Sequence, residues 1–260
     1  MAHGTPPRNR PGGGRIELVL LDVGGPIYDD AAYRDALLRA TRELVAERQH
    51  DRAGAPVAEA AADSAAGPVP DAEFRAEFQE VYDRQRQAQG GSLRTAVAEH
   101  FLTPNDRAEL SARANSYWYY PPSALHDDVL PALRELTAHY RLAVVANQRS
   151  LVIDALRRDG VAEHVDVWAI SELVGADKPD PEIFEHALRE ADVAPENAVH
   201  VGNRLDTDVR GAHRVGIRAV WVLRGEAPPE PTSEQLAEPD AVVPGLAELP
   251  AALAELRGTG

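Results

Sequence analysis

One stretch constrains the fold of this chain more than any other: an apolar run that ends in an aspartate and a glycine-rich turn. Residues 16–21 read Ile-Glu-Leu-Val-Leu-Leu, and residues 22–26 read Asp-Val-Gly-Gly-Pro. A short, almost continuous apolar run is typical of a strand buried on both faces, as in a parallel sheet. The glycines let the backbone turn sharply after it. The pattern therefore predicts Asp22 at the carboxyl end of a buried strand, where α/β sheets bind their ligands.

From residue 127 onward, strand-like segments alternate with helix-like segments. Further strands are predicted at residues 142–146, 165–170, 198–201, 218–223 and 241–243. Such alternation predicts a parallel, doubly wound, Rossmann-like sheet. The stretch between the first strand and residue 124 carries only helical spacing of its apolar residues. We therefore expect an α/β fold into which an all-helical cap domain is inserted.

The chain is expected to divide into three parts. Residues 1–14 are rich in proline, glycine and arginine and are predicted to form a disordered tail. Residues 15–28 and 125–260 are predicted to form the α/β core domain, and residues 29–124 the helical cap domain. A chain of 260 residues is long enough to bury a full core in this arrangement.

The composition excludes several classes of function. The net charge of −15 argues against nucleic acid as a partner, because phosphates require a basic surface. No run of about 18 apolar residues is present, so no membrane partner is expected. The chain has no cysteine, which excludes a disulfide framework and a thiol nucleophile. We expect a cytoplasmic protein, monomer or homodimer, whose partner is a small-molecule substrate.

The use of lysine is unusual. Of 27 basic residues, Lys178 is the only lysine, and every other one is arginine. A compact primary amine differs from a guanidinium in size, geometry and ease of deprotonation. This single exception predicts a specific role for Lys178.

Four polar side chains follow predicted strands. Asp22, Asn147 and Asp208 lie at or just beyond strand ends, and Lys178 lies in the loop after the third strand. The carboxyl ends of parallel strands meet at one edge of the sheet. We therefore expect two carboxylates, an amide and an amine to share one cleft beneath the cap.

These segments resemble a known family. Asp22 with its glycine turn, residues 144–147 (Val-Val-Ala-Asn), 178–184 (Lys-Pro-Asp-Pro-Glu-Ile-Phe) and 201–212 are similar to the four ordered motifs of the haloacid dehalogenase superfamily. The helical insert resembles the first-type cap of that family. The resemblance implies a hydrolase that uses an aspartate nucleophile.

The resemblance also implies individual roles. Asp22 would be the nucleophile that forms a covalent ester. Lys178 would keep Asp22 ionised and neutralise developing charge. Asn147 would orient the transferred group. The Mg²⁺ ligands would be Asp22, the backbone carbonyl of Gly24, and Asp208.

The sequence departs from the family pattern at five positions. Gly24 stands where family phosphatases carry a second aspartate as general acid, and Pro26 and Ala146 replace hydroxyl residues. Asn203 replaces a carboxylate and is followed by Arg204 instead of a small residue. Losing a carboxylate and adding a cation both weaken a magnesium site, so Mg²⁺ binding is expected to be weak or absent.

The candidate substrate-binding residues are the backbone of Gly24 and Gly25, Arg204, and the rings of Tyr117 and Trp118. Arg204 is suited to hold a phosphate or carboxylate with two hydrogen bonds, the alternative being a solvated surface side chain. The rings line a substrate pocket or, alternatively, pack between the two domains.

Arginines of the cap are further candidates for binding a substrate carboxylate. They include Arg34, Arg39 and Arg42, and the sequence does not select among them.

The expected function is hydrolysis of a small anionic metabolite, phosphorylated or carboxylated. Without an acid at residue 24, poor leaving groups would lose ~10²–10⁴ in rate, so an efficient general phosphomonoesterase is not expected. The alternatives are dehalogenase-like displacement, a lyase or cyclase step in specialised metabolism, and a non-catalytic binding protein. Loss of activity on Asp22→Asn would separate the enzymes from the binding protein.

Overall fold

The sheet of this protein is parallel throughout. A computed structural model describes residues 15–53 and 72–258, and the tail predicted for residues 1–14 lies outside them. Six strands of the described part pair in the order β3-β2-β1-β4-β5-β6. They are β1 (Leu18–Leu21), β2 (Arg141–Ala146), β3 (Val167–Ile170), β4 (Ala198–Gly202), β5 (Arg218–Val222) and β6 (Ala241–Val243). The strand order reverses at β1, which opens a crevice at its carboxyl end.

Helices connect the strands and form the insert. They are α1 (Ala31–Ala53), α2 (Ala72–Ala88), α3 (Leu93–Phe101), α4 (Arg107–Tyr117), α5 (Val129–Thr137), α6 (Val152–Arg158), α7 (Ser171–Val174), α8 (Pro181–Ala191), α9 (Arg210–Arg214), α10 (Ser233–Leu236) and α11 (Leu249–Gly258). The predicted fold class, an α/β sheet with a helical insert, is confirmed. No helix in the described part combines the length and apolar character needed to cross a membrane.

The central strand is short and completely buried. Leu18 and Leu20 pack into the apolar layer that contains Phe184 of α8, whereas Val19 and Leu21 pack into the layer on the opposite face. This two-sided burial explains why the run in the sequence is almost continuously apolar. Pairing with both neighbouring strands begins at Leu18, so β1 is shorter than the predicted run.

Helices α1 to α4 have an apolar cluster of their own. Leu37 and Leu44 of α1 contact a cluster that includes Phe78 of α2, Val97 of α3 and Leu110 of α4. The spacing of these residues places them on one side of each helix. The insert can therefore bury an apolar interior without using the sheet.

The last turn of α2 and the loop that follows it join the insert to the sheet domain. The Gln89 side chain accepts a hydrogen bond from the backbone amide of Leu205 at 2.9 Å. Arg86 donates to the carbonyl of Ala227 at 2.6 Å. These bonds hold the insert over the loops that follow β4 and β5.

Candidate active site

A cavity of about 600 Å³ lies between the insert and the carboxyl ends of the central strands. Asp22, which follows β1, and Asn147, which follows β2, form part of its wall together with Lys178 from the loop after α7. Its volume is within the range of small-molecule sites, ~300–1,000 Å³. The topology thus brings these residues to one cleft.

Lys178 connects two carboxylates. Its Nζ lies 2.7 Å from Asp22 Oδ1 and 2.7 Å from Asp208 Oδ1, and its side chain is only 3% exposed. Burial disfavours the ammonium, but the charges of Asp208 and Asp22 outweigh this effect and raise the pKa of Lys178. The amine therefore remains charged at neutral pH.

Asp208 is held entirely by protein groups. Its Oδ1 accepts hydrogen bonds from Lys178 and from His200 Nε2, at 2.7 Å and 3.1 Å. Its Oδ2 accepts one from the backbone amide of Arg204 at 2.9 Å, within a π-helical turn that spans Leu205–Val209. Burial opposes ionisation of Asp208, but Lys178 and His200 lower its pKa below the usual range. Asp208 is thus the anionic support of the lysine.

The surroundings of Asp22 have opposing effects on the pKa of its carboxyl. Burial raises the pKa of its carboxyl to about 6, while Lys178 opposes the rise and Asp208 adds to it. The carboxylate is consequently ionised near neutral pH, and Lys178 fixes the orientation of its Oδ1. A desolvated, oriented carboxylate at a cavity wall is suited to nucleophilic attack.

Asn147 positions the backbone of Lys178. Its Oδ1 accepts from the Lys178 amide at 2.6 Å, and its Nδ2 donates to the Lys178 carbonyl at 2.9 Å. The residue also lies in the cavity wall. The expected role in orienting a transferred group stays a prediction beside this structural one.

The glycine turn permits close packing next to Asp22. Gly25 has φ of +85°, and a Cβ on it would lie 2.0 Å from the side-chain nitrogen of Asn203. Gly24 lies in the cavity wall, whereas Gly25 packs against Asn203. Only glycine fits at residue 25, because both the left-handed backbone and the close approach exclude a side chain.

Arg204, predicted as an anion-binding residue, contacts carboxylates of this chain. Its guanidinium lies 2.8 Å from Asp206 and 2.8 Å from Glu226, and it donates to the carbonyl of Gly91 at 2.6 Å. Its charge is therefore balanced by two carboxylates while it joins the insert to the core.

The two candidate rings lie in different places. Trp118 lines the cavity and contacts the Tyr33 ring at a centroid distance of 4.9 Å. Tyr117 packs against α1, where its hydroxyl donates to Glu43 at 2.6 Å and its ring carries the Arg39 guanidinium at 3.9 Å. The structure therefore favours Trp118 over Tyr117 as a residue that a ligand would meet.

Asp30, which sequence reasoning did not select, also lines the cavity. It is only 8% exposed, and its side chain accepts a long hydrogen bond of 3.4 Å from Asn203 Nδ2. Burial first, then the charges of Glu226 and Asp22, raise the pKa of Asp30 well above its usual value. The sequence contained one signal, two adjacent aspartates before α1, and Asp29 is the one that caps the helix, accepting from the Ala31 amide.

Two arginines of the insert, Arg94 and Arg107, face the cavity. Arg94 donates to neutral oxygens, the Tyr33 hydroxyl at 2.9 Å and the Asn115 amide at 3.0 Å. Among residues 15–53 and 72–258, neither guanidinium lies within 4.0 Å of a carboxylate. Sequence reasoning had considered Arg39, which is paired with Glu43 at 3.0 Å. Only the packing of the insert distinguishes these arginines.

The donor groups do not fit the implied Mg²⁺ site. Both oxygens of Asp208 accept hydrogen bonds from the protein, and Asp22 Oδ1 contacts the Lys178 ammonium. The described residues contain no cluster of three or more acidic or histidine side chains that could hold a metal ion. The ligand set Asp22, Gly24 and Asp208 stays a prediction that this geometry does not favour, and we derive no step through a metal.

Comparison with protein families gives one match that covers most of the chain. A family model described as haloacid dehalogenase-like hydrolase matches residues 16–216.

Individual relatives match shorter regions. The chain is 47% identical over 90 residues to a phosphoserine phosphatase from Thermus thermophilus, covering 35% of this chain and 34% of that protein. It is 39% identical over 103 residues to a glyceraldehyde 3-phosphate phosphatase from Methanopyrus kandleri, covering 39% and 44%. The chain thus spans less than half the length of these curated relatives. A solved structure of a HAD phosphatase from Thermococcus onnurineus aligns with a TM-score of 0.58 at 22% identity, covering 92% of this chain and 98% of that one.

Proposed function

The chain belongs to the haloacid dehalogenase-like hydrolases, and from this premise we propose that it hydrolyses a small phosphorylated metabolite through a covalent intermediate on Asp22. The observation that carries the proposal is the position of Asp22 in the cavity wall, with its Oδ1 2.7 Å from the Lys178 ammonium. The names of the relatives, phosphoserine phosphatase and glyceraldehyde 3-phosphate phosphatase, support a phosphate ester as substrate.

The side chains suit this reaction. A carboxylate oxygen of Asp22 attacks phosphorus, the bond to the alcohol oxygen breaks, and an aspartyl phosphate forms. Water then attacks phosphorus, releases inorganic phosphate and restores the carboxylate. Lys178 reduces repulsion between the anionic nucleophile and the anionic phosphoryl group. Asp208 and Asn147 keep Lys178 in place through its ammonium and its backbone.

The insert supports a further feature of the substrate, a second anionic group. Arg94 and Arg107 approach the cavity from α3 and α4, while Asp22 lies on the sheet side. Because no described carboxylate neutralises either guanidinium, a carboxylate on the substrate would find two donors there. We therefore propose a phosphorylated carboxylic acid as the substrate class.

Matched pairs of esters test this function. 3-Phosphoglycerate against glycerol 3-phosphate, and phosphoserine against phosphoethanolamine, differ in each case by one carboxylate. We expect the acid of each pair to be preferred. Acid-quenched enzyme should carry phosphate that hydroxylamine releases, and Asp22→Asn should carry none. Turnover of 2-haloacids but not phosphates would favour a dehalogenase, and ligand binding without turnover would favour a binding protein.

Two arginine variants test the second anionic group. Arg94→Gln and Arg107→Gln should each lower kcat/KM for the carboxylated ester by ~10- to 100-fold, since a hydrogen bond to a charged group contributes ~1.5–3 kcal/mol. The ester without a carboxylate should respond much less. The exposed Arg75 on α2 offers the matched control Arg75→Gln. Equal losses for both esters would contradict this assignment.

A further inference from the structure

The carboxyl of Asp30 lies against the glycine turn that follows Asp22. A Cβ built on Gly24 would lie 2.7 Å from Asp30 Oδ1 and 3.4 Å from the Tyr120 hydroxyl. A Cβ on Gly225 would lie 2.2 Å from Asp30 Oδ2. The carboxyl of Asp30 is thus wedged between the turn after β1 and the turn after β5, at the point where a side chain on residue 24 would enter the cavity.

We propose that Asp30 is the general acid of the reaction, which protonates the alcohol oxygen as it leaves phosphorus. This inference rests on the proposed phosphatase function. A carboxyl from the start of α1 would thereby perform the task for which Gly24 has no side chain. Asp30 and Asp22 line the same cavity, so a phosphate ester bound at Asp22 can place its bridging oxygen beside Asp30.

The surroundings of Asp30 favour an acid over a carboxylate. Within residues 15–53 and 72–258, no Lys, Arg or His nitrogen lies within 4.0 Å of its oxygens. The charged groups that act on it are carboxylates, Glu226, Asp22 and Asp29, and the amide of Asn203 donates a long hydrogen bond to it at 3.4 Å. A buried carboxylate with no cation is strongly disfavoured, so the group keeps its proton.

The proton balance of both steps is complete. As Asp22 attacks phosphorus, the electron pair of the breaking bond passes to the alcohol oxygen, which takes the proton of Asp30. The alcohol leaves, and the aspartyl phosphate and the Asp30 carboxylate remain. In the second step, Asp30 takes a proton from the attacking water, whose oxygen joins phosphorus. Phosphate release restores the Asp22 carboxylate and the Asp30 acid.

The test compares two leaving groups. Alkoxides need a proton to leave, whereas 2,4-dinitrophenolate leaves as a stable anion. Asp30→Asn keeps the shape of the side chain and removes the acid. We expect it to lower kcat on an alkyl phosphate by ~10²–10⁴-fold and to change kcat on 2,4-dinitrophenyl phosphate little. Asp154→Asn, at an exposed position on α6, is the matched control and should leave both rates unchanged.

A second variant moves the carboxyl instead of removing it. Gly24→Asp combined with Asp30→Ala returns an acid to residue 24 and clears the oxygen that would lie 2.7 Å from its Cβ. We expect this variant to turn over the alkyl phosphate at least ~10-fold faster than Asp30→Asn, which only a chemical role of the carboxyl predicts. This variant also keeps the idea testable if Asp30→Asn does not fold.

The outcomes separate this inference from the proposed function. If the wild type hydrolyses no phosphate ester, the function itself is wrong. If the wild type hydrolyses both esters and Asp30→Asn slows them equally, Asp30 supports the structure and the inference is wrong. If Asp30→Asn abolishes a stimulation by Mg²⁺ on both esters, Asp30 is a cation ligand, and the inference is also wrong.

Discussion

Asp208 and Asp30 are both buried aspartates, and their surroundings are opposite. Asp208 accepts hydrogen bonds from Lys178, His200 and a backbone amide, and its pKa is lowered. Asp30 accepts a long hydrogen bond from Asn203 and has carboxylates as neighbours, and its pKa is raised. Burial opposes ionisation in both cases, so the neighbouring groups and not the depth of burial decide the direction of the pKa shift.

One cavity can thus combine an ionised carboxylate with a protonated one. The Lys178 ammonium forms ion pairs with Asp22 and Asp208 at 2.7 Å, and Asp30 is not part of either pair. One ammonium therefore favours the ionised form of two carboxylates, whereas the surroundings of Asp30 favour its protonated form. Environments that push titratable groups in opposite directions are a frequent way to provide both a nucleophile and an acid at neutral pH.

Stability measurements provide the largest expected contrast. Asp208→Asn should destabilise the protein by ~3–5 kcal/mol, because it leaves the buried Lys178 ammonium without its full partner. Asp30→Asn should cost far less, since the side chain has no cation to lose. Urea unfolding at pH 7 measures both. Equal losses in the two variants would mean that the two carboxyls are held in equivalent ways.

Lys178→Arg should disrupt the two ion pairs that Lys178 forms with Asp22 and Asp208. A planar guanidinium cannot fit the compact position in which Nζ bonds both Asp22 and Asp208. We expect kcat to fall by ~10²–10³-fold, the usual loss when a preorganised charge is misplaced. Single-turnover kinetics with the preferred ester give the value. Near-normal turnover would remove Lys178 from the mechanism.

The residues around the Lys178 ammonium are also the ones whose proximity the sequence predicts. Asp22, Lys178 and Asp208 follow buried apolar strands or their loops, and parallel topology sends such positions to one sheet edge. The fold class followed from the same strands. The roles of these residues stay predictions, but their proximity was a consequence of topology alone.

The burial of Asp30 beside the cavity could not be predicted from the sequence in this way. Asp29 and Asp30 precede α1 and look alike as helix caps, and only packing against the turns at Gly24 and Gly225 shows which one is buried. Arg94 likewise cannot be told from other arginines of the insert without knowing which carboxylates lie nearby. Such distinctions depend on how the insert lies over the sheet, which periodicity does not encode.

The pH dependence of stability should have opposite signs for the two aspartates. The raised pKa of Asp30 contributes stability below its ordinary value of 3.8, and this is lost as pH rises toward the folded-state pKa. The lowered pKa of Asp208 contributes stability above 3.8 that is lost as pH falls. Each slope approaches ~1.4 kcal/mol per pH unit.

Differences between variants isolate these slopes. The free energy of unfolding of Asp30→Asn should increase relative to that of the wild type as pH rises above 3.8. The loss of stability caused by Asp208→Asn should become smaller as pH falls below 3.8. Unfolding free energies from pH 3 to pH 9 provide the comparison, with the exposed Asp154→Asn as control. A flat difference for Asp30→Asn would show that its carboxyl ionises as in the unfolded chain.

The smallest effect is expected from Mg²⁺ on the wild type. Chelation should leave activity nearly unchanged, because Asp208 is occupied by hydrogen-bond donors and Asp22 by Lys178. Asn203→Asp should change this response. It would replace the amide nitrogen 3.4 Å from Asp30 Oδ2 with a carboxylate oxygen, and two carboxyls at that distance favour a shared proton or a cation.

Calorimetry measures the affinity for Mg²⁺. We expect Asn203→Asp to bind Mg²⁺ at least ~10-fold more tightly than the wild type, which corresponds to a binding free energy more favourable by ~1.4 kcal/mol. Arg204 is left unchanged in this test. Because Arg204 is balanced by Asp206 and Glu226 and also joins the insert to the core, the single variant is the cleaner test. Tight binding by the wild type would mean that Asp22 and Asp208 exchange their contacts with Lys178 for the metal, and would favour a metal-dependent phosphatase.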